Sequence, residues 1–181
     1  MTTRVLCLLT DGFEEIEALA PVDLLRRAGA EVLLMSLSGR LAVKGRCDVV
    51  VQAERLLEAG AEVEGFVMLL IPGGPGVNAM RADGRAAQLA RLFARQGKVI
   101  AAICAAPTVL ADAGLLEGRR FTAHFSVHGE LPQALAAERV VEDGPIITSR
   151  GAGTAVDFGL ALVHRLFGPA KAEEIAAAIM L

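Results

Sequence analysis

Short apolar runs alternate with longer segments of helical period along most of this chain. The runs RVLCLL, EVLLMSL, FVMLLI and KVIAAI are apolar almost throughout, as is typical of parallel strands that helices cover on both faces. The segments between them include EEIEALAPVDLLRRAG and RAAQLARLFARQG, where apolar residues recur at helical spacing. This alternation predicts an α/β fold with an open, doubly wound, mostly parallel sheet and helices on both faces.

The last third of the chain predicts a strand pair followed by a capped helix. The segment RVVEDGPIITS has a turn signal at Asp143-Gly144 between two β-rich runs. Thr154 is a good N-cap, Asp157 stands three residues later as in a capping box, and Gly168 ends the helical period. No repeat or linker interrupts the 181 residues, which are about the length of one domain. We therefore predict a single domain over residues 1–181.

Composition and charge limit the possible partners and the compartment. The formal net charge is −3 and the basic residues form no tract, so the chain lacks a phosphate-neutralising surface for nucleic acid. The apolar run near the N-terminus is shorter than a signal-peptide core, and no apolar segment reaches the roughly 18–20 residues that span a bilayer. Three cysteines without a C-x-x-C pair fit a reducing compartment. We expect a soluble cytoplasmic protein that binds neither nucleic acid nor membranes.

Cys104 stands where the run KVIAAI ends, and ligands of doubly wound sheets bind at this end of the strands. Alanines two residues before and after it give a small-x-Cys-x-small pattern, related to the G-x-S-x-G nucleophile elbow. Pro107 suits the first turn of a following helix. The pattern predicts a tight strand-to-helix turn and a reactive thiol whose pKa the helix N-terminus lowers. The alternative is a buried structural cysteine, which we expect for Cys7 and Cys47.

Glu17 is the candidate proton partner of this thiol. Phe13, Glu17 and Ala20 share one helical stripe, so the carboxyl is expected to lie against apolar surface. Desolvation would raise its pKa and keep it protonated near neutrality, able to hydrogen-bond a thiolate or to move a proton. The alternative is that acidic residues of a first turn only complement the helix dipole, as we expect of Glu14 and Glu15. The pattern leaves both interpretations of Glu17 open.

The loop IPGGPGVNA follows another predicted strand. Its residues 74–79 satisfy G-x-G-x-x-A, but a dinucleotide site needs an acidic residue at the end of the next strand, where this chain has Ile103 and Cys104. We therefore favour a nest of backbone N–H groups, in which Gly74 and the Ala105 amide hold an oxyanion. A plain turn is the alternative. No bound cofactor is expected.

Two further side chains are candidate site residues. His124 closes the short run RFTAH, and His128 follows it at a spacing of four, but no third metal ligand is evident, so no metal site is predicted. Arg150 follows the last predicted strand in the segment SRGAG. It either steers an anionic substrate or is an ordinary surface charge, and the sequence favours neither.

The segments EEIEALAPVDLLRRAG, IPGGPG, AAICAAP and TSRGAGT, in this order, resemble the ThiJ/PfpI superfamily, and within it the DJ-one branch of parkinsonism-associated protein deglycases. The resemblance runs from about Arg4 to Gly168. It implies a flavodoxin-like sheet of the class I glutamine amidotransferase-like type, and a homodimer. Matched position by position, it puts the family's functional residues at Cys104 (nucleophile), Glu17 (protonated glutamate), Gly74 (oxyanion side) and His124 (nearby histidine).

The resemblance also implies an activity. This is a cysteine-dependent, glutathione-independent glyoxalase or deglycase activity on 2-oxoaldehydes such as methylglyoxal, or on their early glycation adducts. The protease-like members of the family have a histidine directly after the cysteine, where this chain has Ala105, so peptidase activity is not expected. A second function uses the same residues without turnover: oxidation of Cys104 by peroxide in a redox-sensor or chaperone dimer of the oxidative-stress response. The sequence leaves both functions open.

Overall fold

A mostly parallel sheet forms the centre of the fold in the computed structural model, which describes residues 2–58 and 63–181. The strands are β1 (Arg4–Leu9), β2 (Glu31–Ser36), β3 (Ala42–Lys44), β4 (Val50–Gln52), β5 (Arg55–Leu56), β6 (Phe66–Ile71), β7 (Val99–Ile103), β8 (Val140–Asp143) and β9 (Ile146–Ser149). Seven of them form one sheet in the order β5-β2-β1-β6-β7-β9-β8. Its neighbouring strands are parallel except for the β8–β9 pair, and β3 pairs with β4 in a separate antiparallel hairpin.

Helices cover both faces of this sheet. They are α1 (Glu15–Arg27), α2 (Val77–Asp83), α3 (Arg85–Arg95), α4 (Pro107–Asp112), α5 (Ala155–Phe167) and α6 (Pro169–Ala178). Helices α2, α3 and α4 contribute to the apolar core on one face, and α1, α5 and α6 contribute to the core on the other. The predicted doubly wound α/β fold is therefore confirmed. Within the described ranges, no helix has the length and apolar character needed to cross a membrane.

The central strands are apolar throughout because both of their faces are buried. In β6, Leu69 and Ile71 pack into one core and Met68 and Leu70 into the other, all of them fully buried. Burying an apolar side chain of this size contributes roughly 1.5–3 kcal/mol relative to leaving it exposed. The apolar runs therefore indicated the parallel strands correctly.

The strand pair near the C-terminus is present as predicted, but the predicted capping box is wrong. Strands β8 and β9 are antiparallel, with the turn at Gly144-Pro145, one residue later than predicted, and Gly168 ends α5. Thr154 occupies the N-cap position of α5 without capping the helix by a side-chain hydrogen bond. Its hydroxyl instead donates to the Gly151 carbonyl at 2.8 Å, while Asp157 pairs with Arg139. The segment before the helix is a 3₁₀ turn. A carbonyl of this turn accepts the Thr154 hydroxyl, which is therefore not used to cap α5.

The register of the sheet brings four loops to one edge. Strands β1, β6, β7 and β9 are adjacent in this order, with Ile71 beside Ala102 and Ile103 beside Ser149. Because the carboxyl ends of parallel strands meet at the same edge, the loops after these strands converge. This edge holds the candidate site.

Candidate active site

Cys104 lies on a strained turn between β7 and α4. Its φ angle is +67°, in the left-handed region that residues other than glycine seldom adopt. Both of its backbone polar groups are held: its N–H donates to the Ser149 carbonyl at 2.8 Å, and its carbonyl accepts the backbone N–H of His124 at 2.8 Å. The turn is thus the predicted nucleophile elbow, fixed in its strained conformation by neighbouring segments.

The side chain of Glu17 meets this thiol from α1. Glu17 is only 1% exposed, and its carboxyl is hydrogen-bonded to Cys104 and accepts the N–H groups of Gly73 and Ala152. The Gly73 contact measures 3.1 Å. Burial raises the pKa of Glu17 to about 7, and the charge of Glu14 adds to this effect, while the hydrogen bonds act in the opposite direction. Of the two open interpretations, the geometry favours a desolvated carboxyl that faces the thiol.

The pKa of Cys104 depends on the state of Glu17. Burial raises it to about 12, together with the negative charge of Glu17 and its hydrogen bond to the thiol. The prediction that the helix N-terminus lowers this pKa is therefore wrong: burial and the nearby carboxylate outweigh the dipole of α4, which has only six residues. A proton on Glu17 removes this charge and donates a hydrogen bond to sulfur, which favours the thiolate.

Two backbone N–H groups point at the cysteine sulfur. Those of Gly74 and Ala105 hydrogen-bond it and act to lower its pKa. Gly74 has φ +98°, and a β-carbon there would lie 2.6 Å from both the Glu14 nitrogen and the Gly12 oxygen. Only glycine fits this close approach. The tight packing of the loop holds the Gly74 N–H beside the thiol, where an oxyanion site needs its donors.

His124 lies beside the pair with a neutral ring. Its Nδ1 accepts the N–H of Ser126 at 3.3 Å and lies 2.8 Å from the Ser126 hydroxyl, so the ring proton is on Nε2. Burial, followed by electrostatic interaction with His128 and Arg46, lowers the pKa of His124 below its ordinary value. The ring is therefore uncharged at neutral pH and presents Nε2–H as a donor.

The remaining predicted residues differ in their surroundings. Arg150 lines a cleft of about 570 Å³ together with His124, and its guanidinium lies 3.4 Å from the carbonyls of Ala136 and Ala137. Cys7 is fully buried in β1, which raises the pKa of its thiol. Cys47 is an exposed free thiol, so the expectation of a buried structural cysteine is wrong for this residue. Within the described residues, no three His, Cys, Asp or Glu side chains cluster in a way that would hold a metal ion.

Sequence reasoning missed the roles of the first two glutamates of α1. Glu14 is the N-cap, and its carboxylate accepts the N–H of Glu17 at 2.8 Å. This contact matches an i, i+3 capping spacing that was visible in the sequence. Glu15 accepts the N–H of Cys47 at 2.8 Å, and its other carboxylate oxygen, Oε2, is buried without a partner among the described residues. Because that contact joins segments 32 residues apart, no local signal announced it.

The doubly wound α/β sheet and the cysteine elbow that faces a buried carboxyl place this chain among the α/β proteins with a cysteine at a nucleophile elbow. The chain belongs to one of its families, the DJ-1/PfpI family, whose model matches residues 3–165. It is 38% identical over 185 residues to Protein dj-1beta of Drosophila melanogaster, covering 100% of this chain and 98% of that protein. It is 35% identical to the putative cysteine protease YraA of Bacillus subtilis, over 83% of this chain and 90% of that protein. The oxidized Toxoplasma gondii DJ-1 structure superposes with a TM-score of 0.91 at 34% identity, covering 99% and 98% of the two chains.

Proposed function

We propose that the protein is a cysteine-dependent, glutathione-independent glyoxalase or deglycase-like enzyme that acts on 2-oxoaldehydes or on their early glycation adducts. The observation that carries the proposal is the buried Glu17 carboxyl, with a pKa raised to about 7, hydrogen-bonded to the thiol of Cys104. A general acid or base works best when its pKa lies near the operating pH. The N–H groups of Gly74 and Ala105 beside the sulfur supply oxyanion donors.

The reaction with methylglyoxal begins with addition. Sγ of Cys104 attacks the aldehyde carbon while the thiol proton passes to Glu17, which gives a hemithioacetal. The N–H groups of Gly74 and Ala105 hold the oxygen anion of the adduct. Glu17 then gives the thiol proton to this oxygen, which completes the hemithioacetal and leaves Glu17 ionised. No oxidant is needed, because the following steps move a hydrogen between adjacent carbons of the same substrate.

Proton transfer and hydrolysis complete the turnover. Glu17 removes the proton from the former aldehyde carbon, while Nε2–H of His124 donates a hydrogen bond to the neighbouring ketone oxygen, which takes the negative charge of an enediolate. The hydroxyl proton of the first carbon passes to the oxygen of the second, and Glu17 returns its proton to the second carbon. The first carbon thereby becomes the carbonyl of a thioester of the hydroxy acid on Cys104. Water then cleaves the thioester, releasing lactate and the thiol, so that methylglyoxal and one water molecule give lactic acid.

The test is hydroxy-acid formation from methylglyoxal without glutathione by fully reduced protein. We expect Cys104→Ser to abolish it and Glu17→Gln to lower the rate by roughly 10²–10⁴-fold, the usual contribution of general acid–base catalysis. Cys47→Ser changes an exposed thiol outside this machinery and serves as the control. Absence of product with native protein, or full activity of Cys104→Ser, would refute the proposal.

Redox sensing by Cys104 is the second candidate function. A protonated Glu17 would hydrogen-bond an oxidised sulfur, and the related Toxoplasma gondii DJ-1 is described as oxidized. Peroxide would convert the thiolate to a sulfenate and water, and a second peroxide would give the sulfinate and water. Mass spectrometry after graded peroxide tests this, with Cys7 and Cys47 as internal comparators. Selective oxidation of Cys104 supports a sensor, and uniform oxidation of all three cysteines, or none, counts against it.

Peptidase activity is not proposed. The relative YraA is named a putative cysteine protease, but Ala105 follows the cysteine in this chain, and it supplies only its backbone N–H to the sulfur. A protein substrate assay with Cys104→Ser as the blank would reveal any such activity.

A homodimer and a cytoplasmic location are also part of the proposal. Apolar side chains are exposed on α1 and β4, namely Ile16 (54%), Leu19 (37%) and Val50 (59%), and such surface is a common feature of association sites. Light scattering on the native protein should give twice the chain mass, and Ile16→Glu should halve it.

The exposed free thiol of Cys47 suits a reducing compartment. Fractionation of cells would test the cytoplasmic location.

A further inference from the structure

A cleft of about 570 Å³ is lined by residues that contact the Cys104–Glu17 pair, although Cys104 and Glu17 are not themselves part of its lining. His124 forms part of its wall and donates its backbone N–H to the Cys104 carbonyl at 2.8 Å. Ala152 forms another part, and its N–H binds the Glu17 carboxyl. The cleft and the reacting groups therefore share walls, so a molecule that reacts at Cys104 has this space beside it.

The cleft is much larger than a three-carbon aldehyde. Pockets of roughly 300–1,000 Å³ usually hold drug-sized ligands. Methylglyoxal at the thiol would leave most of the space to water. A larger carbonyl compound would fill the cleft with the part of the molecule that does not react.

The charge of the lining is unbalanced. Within the part of the chain that the structure describes, the lining includes Arg139 and Arg150 but no Asp or Glu. Arg139 is neutralised by Asp157. Arg150 forms no ion pair with any described residue, and its contacts are the carbonyls of Ala136 and Ala137 at 3.4 Å. An uncompensated guanidinium thus faces the cleft of a protein whose net charge is −3.

The other side chains of the lining add shape and little charge. Phe125 is 77% exposed and packs its ring at 4.1 Å from that of His124. His128 donates Nε2–H to the Ala123 carbonyl at 3.1 Å. The lowered pKa of His124 keeps that ring neutral. Arg150 is therefore the side chain that sets the electrostatic preference of the cleft.

We propose that the cleft is a subsite for a carboxylate at the far end of the substrate, so that the favoured substrates are 2-oxoaldehydes or adducts bearing a carboxylate chain. A guanidinium binds a carboxylate through two parallel hydrogen bonds. A single uncompensated Arg150 matches one negative charge, which favours a carboxylate over a phosphate dianion. The substrate class rests on the proposed function, whereas the anion preference of the cleft is independent of turnover.

Two compounds with the same carbon chain test this preference in turnover: 4,5-dioxopentanoate, a 2-oxoaldehyde with a carboxylate, and its neutral methyl ester. We expect native protein to favour the acid by at least about tenfold in kcat/KM, the scale of one charge-assisted hydrogen-bonded pair. Arg150→Met should remove the preference and Arg150→Lys should restore part of it. Arg95→Met, which removes a positive charge from the exposed end of α3, should leave the ratio as in native protein.

Protection of Cys104 tests the cleft without turnover. The inert analogue 4-oxopentanoate should slow alkylation of Cys104 by iodoacetamide at lower concentration than its methyl ester does. Arg150→Met should raise the protecting concentration of the acid by at least about tenfold, with circular dichroism confirming that the variant is folded.

The two assays separate failure of the subsite from failure of the enzyme. Protection by the acid that depends on Arg150, without turnover of either aldehyde, supports the subsite and refutes the glyoxalase proposal. Equal behaviour of acid and ester in native protein overturns the subsite. A preference that survives Arg150→Met but disappears in Arg46→Met also overturns it, because Arg46 lies outside the cleft lining.

Discussion

The N–H of Gly73 donates a hydrogen bond to Oε2 of Glu17 over 3.1 Å. A β-carbon on residue 73 would lie 2.5 Å from that oxygen and 2.6 Å from Cβ of Cys104. The glycine therefore serves as the spacer that allows the carboxyl and the thiol to meet, and it supplies one of the donors that hold the carboxyl.

Gly73→Ala should separate the reacting pair. The new methyl group meets a buried carboxyl, the Cys104 side chain and the Ile103 carbonyl at 2.8 Å, so the backbone has to shift. Overpacking of this kind typically destabilises a protein by about 1–3 kcal/mol. We expect a loss of about this size in urea unfolding, together with loss of hydroxy-acid formation.

Gly129→Ala is the matched control for this change. A β-carbon there has no heavy atom within 4 Å, so stability and activity should stay near native values. Equal behaviour of the two variants would contradict the spacer role of Gly73.

The raised pKa of Glu17 makes stability depend on pH. Its pKa is about 7 in the folded protein and near the ordinary glutamate value of 4.5 in the unfolded chain, so the native state binds more protons between these values. The free energy of unfolding should therefore fall as pH rises from about 4.5 to about 7. The fall should amount to a few kcal/mol, because a difference of one in pKa corresponds to roughly 1.4 kcal/mol. Above this window the contribution of Glu17 should be constant until other groups titrate.

Urea unfolding between about pH 4.5 and 8 measures this effect, with Glu17→Gln as the comparison. The variant has no titrating group at this position, so its free energy of unfolding should change less across the window. Parallel pH profiles for the two proteins would show that Glu17 titrates normally in the folded state.

Thr154 should act as a positioning residue for Glu17. Its buried hydroxyl donates to the Gly151 carbonyl at 2.8 Å and lies 2.6 Å from the Ser149 hydroxyl, which fixes the turn that carries the Ala152 N–H to the carboxyl of Glu17. Thr154→Val removes both contacts, at a cost of about 0.5–1.5 kcal/mol for each hydrogen bond, while the Gly151 carbonyl keeps the backbone N–H at position 154 and the Ser149 hydroxyl keeps the Arg139 carbonyl. Loosening of the Ala152 contact should also raise the pKa of Glu17 further.

Thr154→Ser keeps the hydroxyl and should restore both properties. The pKa of Glu17 is measured from the pH dependence of hydroxy-acid formation. A Thr154→Val variant that loses stability but keeps the native pH profile would limit Thr154 to a structural role.

Local patterns were sufficient for the fold and for the elbow. The apolar runs predicted the buried parallel strands, and the small residues around Cys104 predicted the tight turn. The β3–β4 hairpin escaped notice because β3 buries only Val43, and α6 escaped notice because it buries only Ile175. One buried residue creates no periodicity for a pattern to reveal.

The electrostatics of the site could not be predicted from the sequence. The pKa of Cys104 is set mainly by burial and by Glu17, a residue of a distant segment, whereas the prediction considered only the helix that follows the cysteine. Glu15 likewise binds Cys47 across 32 residues. Such long-range contacts follow from the sheet register, which local sequence does not specify.

The most direct test of cooperation between Cys104 and Glu17 uses methylglyoxal labelled with ¹³C at the aldehyde carbon. The labelled compound is added in excess to Glu17→Gln protein, and its NMR spectrum is recorded. The variant keeps the nucleophile but lacks the group that moves the proton. With Cys47→Ser present in every protein to remove the exposed free thiol, we predict a protein-bound hemithioacetal signal that persists with little lactate in Glu17→Gln, is absent with Cys104→Ser, and gives way to lactate when Cys104 and Glu17 are both kept. Lactate formation at the native rate by Glu17→Gln, or no thiol adduct in any variant that keeps Cys104, would contradict the mechanism.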